Sequence, residues 1–383
     1  MDLEEIRRDI DQLDDQLLEL FVRRMKLCCD VAEYKAQNGL PVFQGGREQA
    51  ILKRISEKAP EELESASKLL FSQIMDISKC LQQERLTRYK AVQYLPPVEN
   101  PVAACPGIAG SYSEEACLKT FGSNAKIKYF DTFEQVFEAV NSGAADYGVL
   151  PIENSTAGGV DGTYDLLEQY ETYICGRLSI PVRHVLAAGK EAGDIGSIRK
   201  VMSHEQALHQ CGQFIRAQGI TAVTAPNTSI AARTVAQGSC PDTACICSRH
   251  CAHLYGLEIL RENISDNNEN FTRFIVISRT LQIPENADIV SVCLSLPHHS
   301  GSLYRLLTRF SFSGLNLTKI ESRPMPTRIK KKIGTEGFEF IFYLDFEGSV
   351  LNPSVTKLLD NLERDCSYYR FLGNYKDMDN EGQ

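Results

Sequence analysis

Ile6, Ile10, Leu13, Leu17, Leu20 and Phe21 return at the spacing of one helical face, and nothing from Leu3 to about Lys90 reads as a strand. The same periodicity resumes after Arg47 and again after Leu63, which predicts three helices, the first unusually long. Gly39-Leu40-Pro41 and Lys58-Ala59-Pro60 punctuate them. The proline-rich stretch Tyr94-Leu95-Pro96-Pro97-Val98-Glu99-Asn100-Pro101 then breaks the pattern and reads as a linker.

Beyond that break the chain changes character. Short apolar strands at 101–104, 125–129, 147–152, 200–202 and 274–277 alternate with helices, the signature of an α/β domain. After Pro284-Glu285-Asn286 the order becomes strand (289–296), helix (302–311), strand (315–322), strand (338–346), helix (354–365) and strand (368–372). That βαββαβ order predicts a ferredoxin-like α+β unit. With 383 residues, too many for one core, the chain is expected to be multidomain. The division is an all-α three-helix domain at 1–90, a linker at 91–100, an α/β domain at 101–281 and an α+β domain at 288–375.

Charge and cysteines narrow the partners. A net charge of -9 argues against nucleic acid, whose binding rests on clustered Lys and Arg. The run Arg328-Ile329-Lys330-Lys331-Lys332 lies between Pro326 and Gly334 and is expected to be a solvated loop. The 13 cysteines are odd in number and lie in apolar segments, as reduced core thiols do. Cys245, Cys247 and Cys251 lack the two-residue spacing of a metal knuckle, so no metal is expected, and His298-His299 reads as an ordinary exposed pair. Met1-Asp2-Leu3-Glu4-Glu5 is acidic and no apolar run could span a bilayer, so the expected setting is cytoplasmic, with no membrane partner.

On an unbroken first helix Arg24 and Lys35 share a face about 16 Å apart, far enough to hold one small dianion between long side chains. Arg7 lies roughly 25 Å from Arg24 on the same rod, so it could reach that ligand only from a second subunit. Charge alone would make all three the solvated face of a coiled-coil-like helix. The segment also resembles the all-helical chorismate mutases, through Ile6-Arg7 with Leu13-Asp14, Arg23-Arg24, Lys35, Arg47-Glu48, and Ser78 with Gln82. The resemblance implies an intertwined dimer in which Arg7 crosses into the partner's site. It also implies that Arg7 and Arg24 grip carboxylates, Lys35 and Gln82 donate to the ether oxygen, Glu48 binds the substrate hydroxyl, and Arg47 and Ser78 support them. The rearrangement of chorismate to prephenate transfers no proton, so holding a compact conformer and stabilising the ether oxygen suffice, without a cofactor. Gln44 stands where many members carry an acidic residue, and is expected to change affinity rather than abolish function.

In the α/β region three strands run into small polar residues: Glu153-Asn154-Ser155-Thr156-Ala157-Gly158-Gly159, Ser203-His204-Glu205-Gln206 and Asn227-Thr228-Ser229. They are expected to open helices whose free N–H groups suit carboxylates, converging on a cleft. The region resembles prephenate dehydratases through Gly107 with Gly110-Ser111-Tyr112-Ser113, Pro151-Ile152-Glu153-Asn154-Ser155, Ser203-His204, Leu254-Tyr255-Gly256-Leu257 and Asn270-Phe271-Thr272-Arg273-Phe274. The resemblance implies a two-lobed fold like that of periplasmic binding proteins, with prephenate between the lobes. Thr272 would donate a hydrogen bond to the leaving hydroxyl, because a poor leaving group needs such help. Arg273 would face a carboxylate or the loop, and Phe271 or Phe274 the ring. Asn154, Ser155, Thr156, Ser203, Thr228 and Ser229 would bind substrate, with His204 structural or orienting. The loop Cys105-Pro106-Gly107-Ile108-Ala109 departs from the family by lacking a charged residue in its middle.

The last unit resembles ACT domains, which bind amino acids, through Gly301-Ser302-Leu303-Tyr304 and Leu317-Thr318-Lys319-Ile320-Glu321-Ser322-Arg323-Pro324. The resemblance implies feedback inhibition by phenylalanine bound at Gly301, Leu303, Glu321, Ser322 and Arg323 in a homodimer or larger homo-oligomer. Two rival readings are a ligand sensor without chemistry and a dehydratase acting on arogenate. Thr272 in its full motif, with Arg7, Arg24, Lys35 and Gln82, argues against the first. A fused mutase, which would make prephenate, argues against the second.

Overall fold

The computed structural model describes residues 2–38, 45–86, 98–238, 240–267, 269–298, 300–337 and 339–380. They form two compact units, one of 1–92 with 292–371 and the other of 93–291 with 372–383.

The first unit begins with α1 (Leu3–Gln37), α2 (Gly45–Lys58) and α3 (Glu64–Leu86). The expected long helix is unbroken for 35 residues, with Glu4 and Glu5 in its first turn and Lys35 in its last, each favourable to the helix dipole. Both α1 and α2 pack on α3. Most of the stripe of α1 nevertheless stays open: Leu13 is 57% exposed, Leu17 61% and Leu20 61%.

In the second unit the first lobe runs β1 (Val102–Pro106), α4 (Tyr112–Phe121), β2 (Lys126–Phe130), α5 (Phe133–Asn141), β3 (Tyr147–Asn154), β4 (Gly158–Gly159), α6 (Asp161–Gln169) and β5 (Tyr173–Pro181). The chain crosses to a second lobe of β6 (Val185–Ala188), β7 (Lys200–Ser203), α7 (Glu205–Gln210), α8 (Gly212–Gln218), β8 (Thr221–Thr224), α9 (Thr228–Gln237), β9 (Thr243–Cys247), α10 (Arg249–Leu254) and β10 (Glu258–Arg261). It then returns as β11 (Phe271–Ser278), which inserts between β3 and β5. The sheets run β2-β1-β3-β11-β5 and β10-β6-β9-β7-β8. Each has its own core: Ala103, Val149, Leu178 and Phe274 in one, Leu186, Val201, Ile246 and Ile215 in the other. The two crossing segments are tied together, Val182 N to Asn270 O at 2.8 Å and Ile264 N to His184 O at 3.2 Å.

The remaining elements are β12 (Ile289–Ser295), α11 (Ser302–Phe312), β13 (Leu317–Pro324), α12 (Thr327–Ile333), β14 (Phe340–Glu347), α13 (Pro353–Asp365) and β15 (Tyr368–Tyr375), with strand order β13-β14-β12-β15. The order of strands and long helices is the expected βαββαβ, with one addition. The basic run expected to be a loop is helical: α12 buries Ile329, keeps Lys331 and Lys332 exposed, and stops where Gly334 adopts φ 73°. No helix among the described residues is long and apolar enough to cross a membrane.

Candidate active sites

Pairing of β11 with β3 and β5 sets Thr272 opposite Asn154 on one side and Ile180 on the other. Asn154 is buried, and its Nδ2 donates to Thr272 Oγ1 at 3.0 Å, Asn270 Oδ1 at 3.0 Å and Phe271 O at 3.2 Å. Its Oδ1 accepts from Thr156 N at 3.1 Å, Ala157 N at 3.0 Å and Thr156 Oγ1 at 2.7 Å. Those two backbone donors decide which end of the carboxamide faces Thr272. A hydroxyl has one hydrogen and two lone pairs, and here a lone pair is taken by a group that can only donate. The half-buried Thr272 hydroxyl therefore keeps its hydrogen for an acceptor placed against β11.

The helix expected from about Thr163 is α6, but the residues around Asn154 do not open it. The chain turns from β3 into β4, and α6 starts only at Asp161. The Asn154 side chain closes this turn itself, accepting from the N–H two residues on. Ser155 clamps the start of β11, its Oγ accepting from Phe271 N at 3.1 Å and donating to Glu269 O at 3.2 Å. Arg273 Nη1 pairs with Glu153 Oε2 at 2.9 Å. Of the two phenyl rings, Phe271 is partly exposed while Phe274 lies in the lobe core.

The other two segments do lead into helices. His204 caps α7, its Nδ1 accepting from Gln206 N at 3.3 Å, and Asn227 caps α9 through Ile230 N at 2.7 Å, with the half-buried Thr228 at the first helical position. Ser203 and Ser229 depart from expectation. Both are fully buried, and Ser203 Oγ donates to Ile246 O at 2.6 Å, so the hydroxyl serves the sheet β7–β9 rather than a cleft.

Sequence reasoning missed the groups that join the lobes. Gln210 Nε2 donates to Thr156 Oγ1 at 3.3 Å, and its Oε1 lies 3.0 Å from His184 Nε2. His184 is 2% exposed, and burial lowers its pKa and so favours the neutral ring, against the opposing effect of the Gln210 hydrogen bond. Its Nδ1 is 3.4 Å from Tyr112 OH, which donates to Arg183 O at 3.1 Å. Alongside, Glu114 accepts from Tyr129 OH and from Gly110 N at 2.7 Å, and faces His250 Nε2 at 3.1 Å. Burial of Glu114 raises its pKa, but these hydrogen bonds outweigh it and the net shift is downward. Gln210 lies seven residues beyond Ser203 on the short helix α7, and its residue type alone carries no signal.

In the helical region Ser78 and Gln82 are one turn apart on α3, and Gln82 Nε2 donates to Ser78 Oγ at 3.0 Å. Gln82 is 7% exposed, and its Oε1 has no partner among the described residues. Lys35 is buried. Lys79, also missed, joins α3 to α2 through Glu48 at 3.2 Å and pairs with Asp76 at 2.7 Å. Arg24 is half-buried, with Nη1 3.8 Å from Cys28 Sγ. Arg7 and Arg47 are exposed, Arg7 pairing with Glu4 at 3.1 Å. Gln44 lies outside the described residues, as does His299.

In the C-terminal sheet Gly301 caps α11 at φ 81°, a left-handed conformation that suits glycine. Leu303 is exposed two residues on. On the sheet's edge strand β13, Arg323 Nε pairs with Glu321 Oε1 at 2.9 Å, while Ser322 points to the opposite, exposed face. The expected Glu321, Ser322 and Arg323 group is thus divided between two faces.

Residues 6–83 match the family model for chorismate mutase type II, and residues 103–282 that for prephenate dehydratase. A bifunctional chorismate mutase/prephenate dehydratase from Aquifex aeolicus is 31% identical, with 98% of each chain covered. An arogenate dehydratase/prephenate dehydratase from Arabidopsis thaliana is 37% identical over 70% of each. Among solved structures, a prephenate dehydratase from Arthrobacter aurescens in complex with L-Phe is 30% identical with a TM-score of 0.65, covering 73% of this chain and 90% of that one.

Proposed function

The chain belongs to the bifunctional chorismate mutase/prephenate dehydratases, and from that premise we propose how its residues divide the work. It rearranges chorismate to prephenate and then converts prephenate to phenylpyruvate. Prephenate rather than arogenate is the substrate favoured, because the chain matches a mutase at 6–83 that makes it.

For the first reaction, Arg24 and the partner subunit's copy of Arg7 hold the two carboxylates, and Lys35 and Gln82 donate to the ether oxygen. Glu48 receives the substrate hydroxyl, oriented by Lys79; Ser78 steadies Gln82, Arg47 supports the site, and Gln44 in place of an acidic residue alters affinity for chorismate. The buried, Ser78-oriented Gln82 amide and the buried Lys35 support this reading. So does the open apolar stripe of α1, which a second copy of the chain would cover in a homodimer or larger homo-oligomer.

For the second reaction, the bond from the ring to its carboxylate breaks and carbon dioxide departs. The released pair moves through the ring, which becomes aromatic as the hydroxyl leaves from the opposite carbon. Thr272 donates its hydrogen bond to that departing oxygen. The observation that carries this reading is Asn154 Nδ2 at 3.0 Å from Thr272 Oγ1, which leaves the threonine hydrogen free to be donated. Ser155, Thr156 and Thr228 line the carboxylate side, Phe271 the ring, and Arg273 holds Glu153 in the loop. Ser203 and Ser229 support the second lobe from within.

The C-terminal sheet is an ACT domain at 288–375, following the mutase domain at 1–90, the linker at 91–100 and the dehydratase domain at 101–281. It binds phenylalanine at Gly301 and Leu303 with Glu321, Ser322 and Arg323 along β13, and thereby inhibits the dehydratase. The L-Phe complex of the Arthrobacter relative supports the ligand. A reducing, cytoplasmic setting suits the 12 described cysteines, all free thiols.

The test is to supply chorismate and, separately, prephenate to the purified full chain, and to follow prephenate and phenylpyruvate with and without phenylalanine. Both conversions are expected, with phenylalanine slowing the second. No phenylpyruvate from added prephenate would overturn the reading.

A further inference from the structure

The two lobes are joined by a run of hydrogen bonds that ends on Thr272. His184 Nε2 is 3.0 Å from Gln210 Oε1, Gln210 Nε2 is 3.3 Å from Thr156 Oγ1, Thr156 Oγ1 is 2.7 Å from Asn154 Oδ1, and Asn154 Nδ2 is 3.0 Å from Thr272 Oγ1. We infer that His184 is a positioning residue for the dehydration: by donating to Gln210 it turns the Gln210 amide and the Thr156 hydroxyl so that Thr156 donates to Asn154 Oδ1, reinforcing the backbone-held Asn154 amide that leaves the Thr272 hydrogen to the leaving group.

The direction follows from donor and acceptor counting. Asn154 is fixed from below, because its Oδ1 accepts from two backbone N–H groups. Thr156 can strengthen that arrangement only if its single hydroxyl hydrogen goes to Asn154, which requires it to accept from its other neighbour. Gln210 supplies that donor only when its Nε2 faces Thr156, and its two ends are nearly equal in size. What distinguishes them is the group at the far side. A neutral His184 with its hydrogen on Nε2 presents a donor, which only the Gln210 carbonyl can accept. Burial favours that neutral ring, and the Gln210 oxygen 3.0 Å from Nε2, a closer contact than the 3.4 Å from Nδ1 to Tyr112 OH, makes Nε2 the nitrogen to carry the hydrogen. With the donor gone, Gln210 can turn over and Thr156 can donate to Gln210 instead, so Asn154 loses one of the three donors that hold its amide against Thr272.

His184 is well placed to do this without touching substrate. It lies in the segment that crosses from β5 to β6, with its carbonyl accepting from Ile264 N at 3.2 Å in the return segment. Gln210 is pinned at the end of α7 by Asp266 N, which donates to its carbonyl at 2.7 Å. The pair therefore links the lobes at a point where both backbones are held.

The inference rests on Thr272 being the donor, so the experiment separates the two. In the full chain, His184→Leu removes the donor and His184→Gln restores an N–H at nearly the same reach. Dehydratase kcat is expected to fall about tenfold in His184→Leu with KM within about twofold, and to return to within about threefold of wild type in His184→Gln, as loss and recovery of one buried hydrogen bond predict. Circular dichroism and thermal unfolding confirm that each variant is folded. Equal loss in both variants, or no loss in His184→Leu, overturns the inference. Thr272→Val is measured in parallel: if it keeps full dehydratase activity the underlying reading fails, whereas if it is inactive and His184→Leu is unaffected only the role of His184 fails.

Discussion

Asn154 Nδ2 meets Thr272 Oγ1 at 3.0 Å, and Asn154 cannot turn its amide round without giving up Thr156 N and Ala157 N as donors. The orientation of one carboxamide is therefore built into the backbone of a turn. Asn154→Asp keeps the oxygen that faces those amides and replaces the donor with an acceptor. The Thr272 hydrogen would then be drawn to the new carboxylate and away from the leaving oxygen. Dehydratase kcat is expected to fall by at least about a hundredfold, on the scale seen when one oriented donor is lost, with mutase activity retained. Steady-state assays of both reactions on the same preparation check this.

Complementation tests whether Arg7 serves a neighbouring subunit. Arg7→Ala and Gln82→Ala each lose mutase activity if both residues belong to the site. If Arg7 crosses between subunits, a mixed dimer carries one doubly altered site and one intact site. Unfolding and reassembling the two variants together should then restore about a quarter of wild-type activity. No recovery in mixed dimers demonstrated by light scattering or mass spectrometry would place Arg7 in its own subunit's site or outside the site.

Glu114 gives stability a specific pH dependence. Its folded pKa lies below the ordinary carboxylate value of 4.5, despite burial, because Tyr129, Gly110 N and His250 hold the charged form. The stabilisation is therefore complete above the unfolded value and is lost as pH falls through the folded one. Glu114→Gln should lower the unfolding temperature of the dehydratase unit most near pH 7, with the gap to wild type closing below about pH 4.5. Calorimetric scans across that range would show it, and a gap that widens on acidification would contradict it.

How much of this was legible in the sequence depended on whether a residue's surroundings are local. The run Ile6, Ile10, Leu13, Leu17 forecast α1 because a helix face is set by spacing alone. The strand of Thr243–Cys247 gave no alternation, since four of its five residues are buried, and such a run cannot be told from a buried helix by period. The helix α12 hides behind its lysines: one turn buries Ile329, and the cue is only Pro326 before it and Gly334 after it. At the candidate site, the motif singled out Thr272, and the helix after Gly159 was legible, but the turn around Asn154 was mistaken for the opening of that helix. Small polar residues followed by glycines serve both, and only the pairing of β3 with β11 and β4 decides between them. Ser203, Gln210 and His184 could not be sorted at all, because what each hydroxyl, amide or ring touches is set by segments tens of residues away.

Phenylalanine inhibition should depend on the backbone at Gly301. At φ 81° an added methyl group is strained by about 1 kcal/mol, and its Cβ would meet Arg305 Nη1 at 3.3 Å. Gly301→Ala is expected to raise the phenylalanine concentration for half inhibition by about fivefold to tenfold, as that energy implies if the strain weakens binding. A titration of dehydratase rate against phenylalanine reads the shift, and an unchanged midpoint would remove Gly301 from the effector site.

The most direct test of the central claim is to assay Thr272→Val for both reactions in one folded preparation. Valine keeps the branched shape of the side chain and removes only the hydroxyl. Loss of phenylpyruvate formation by at least about a hundredfold, with chorismate still converted to prephenate at the wild-type rate, is the predicted result. Dehydration that continues undiminished, or equal loss of both reactions in the folded protein, would contradict it.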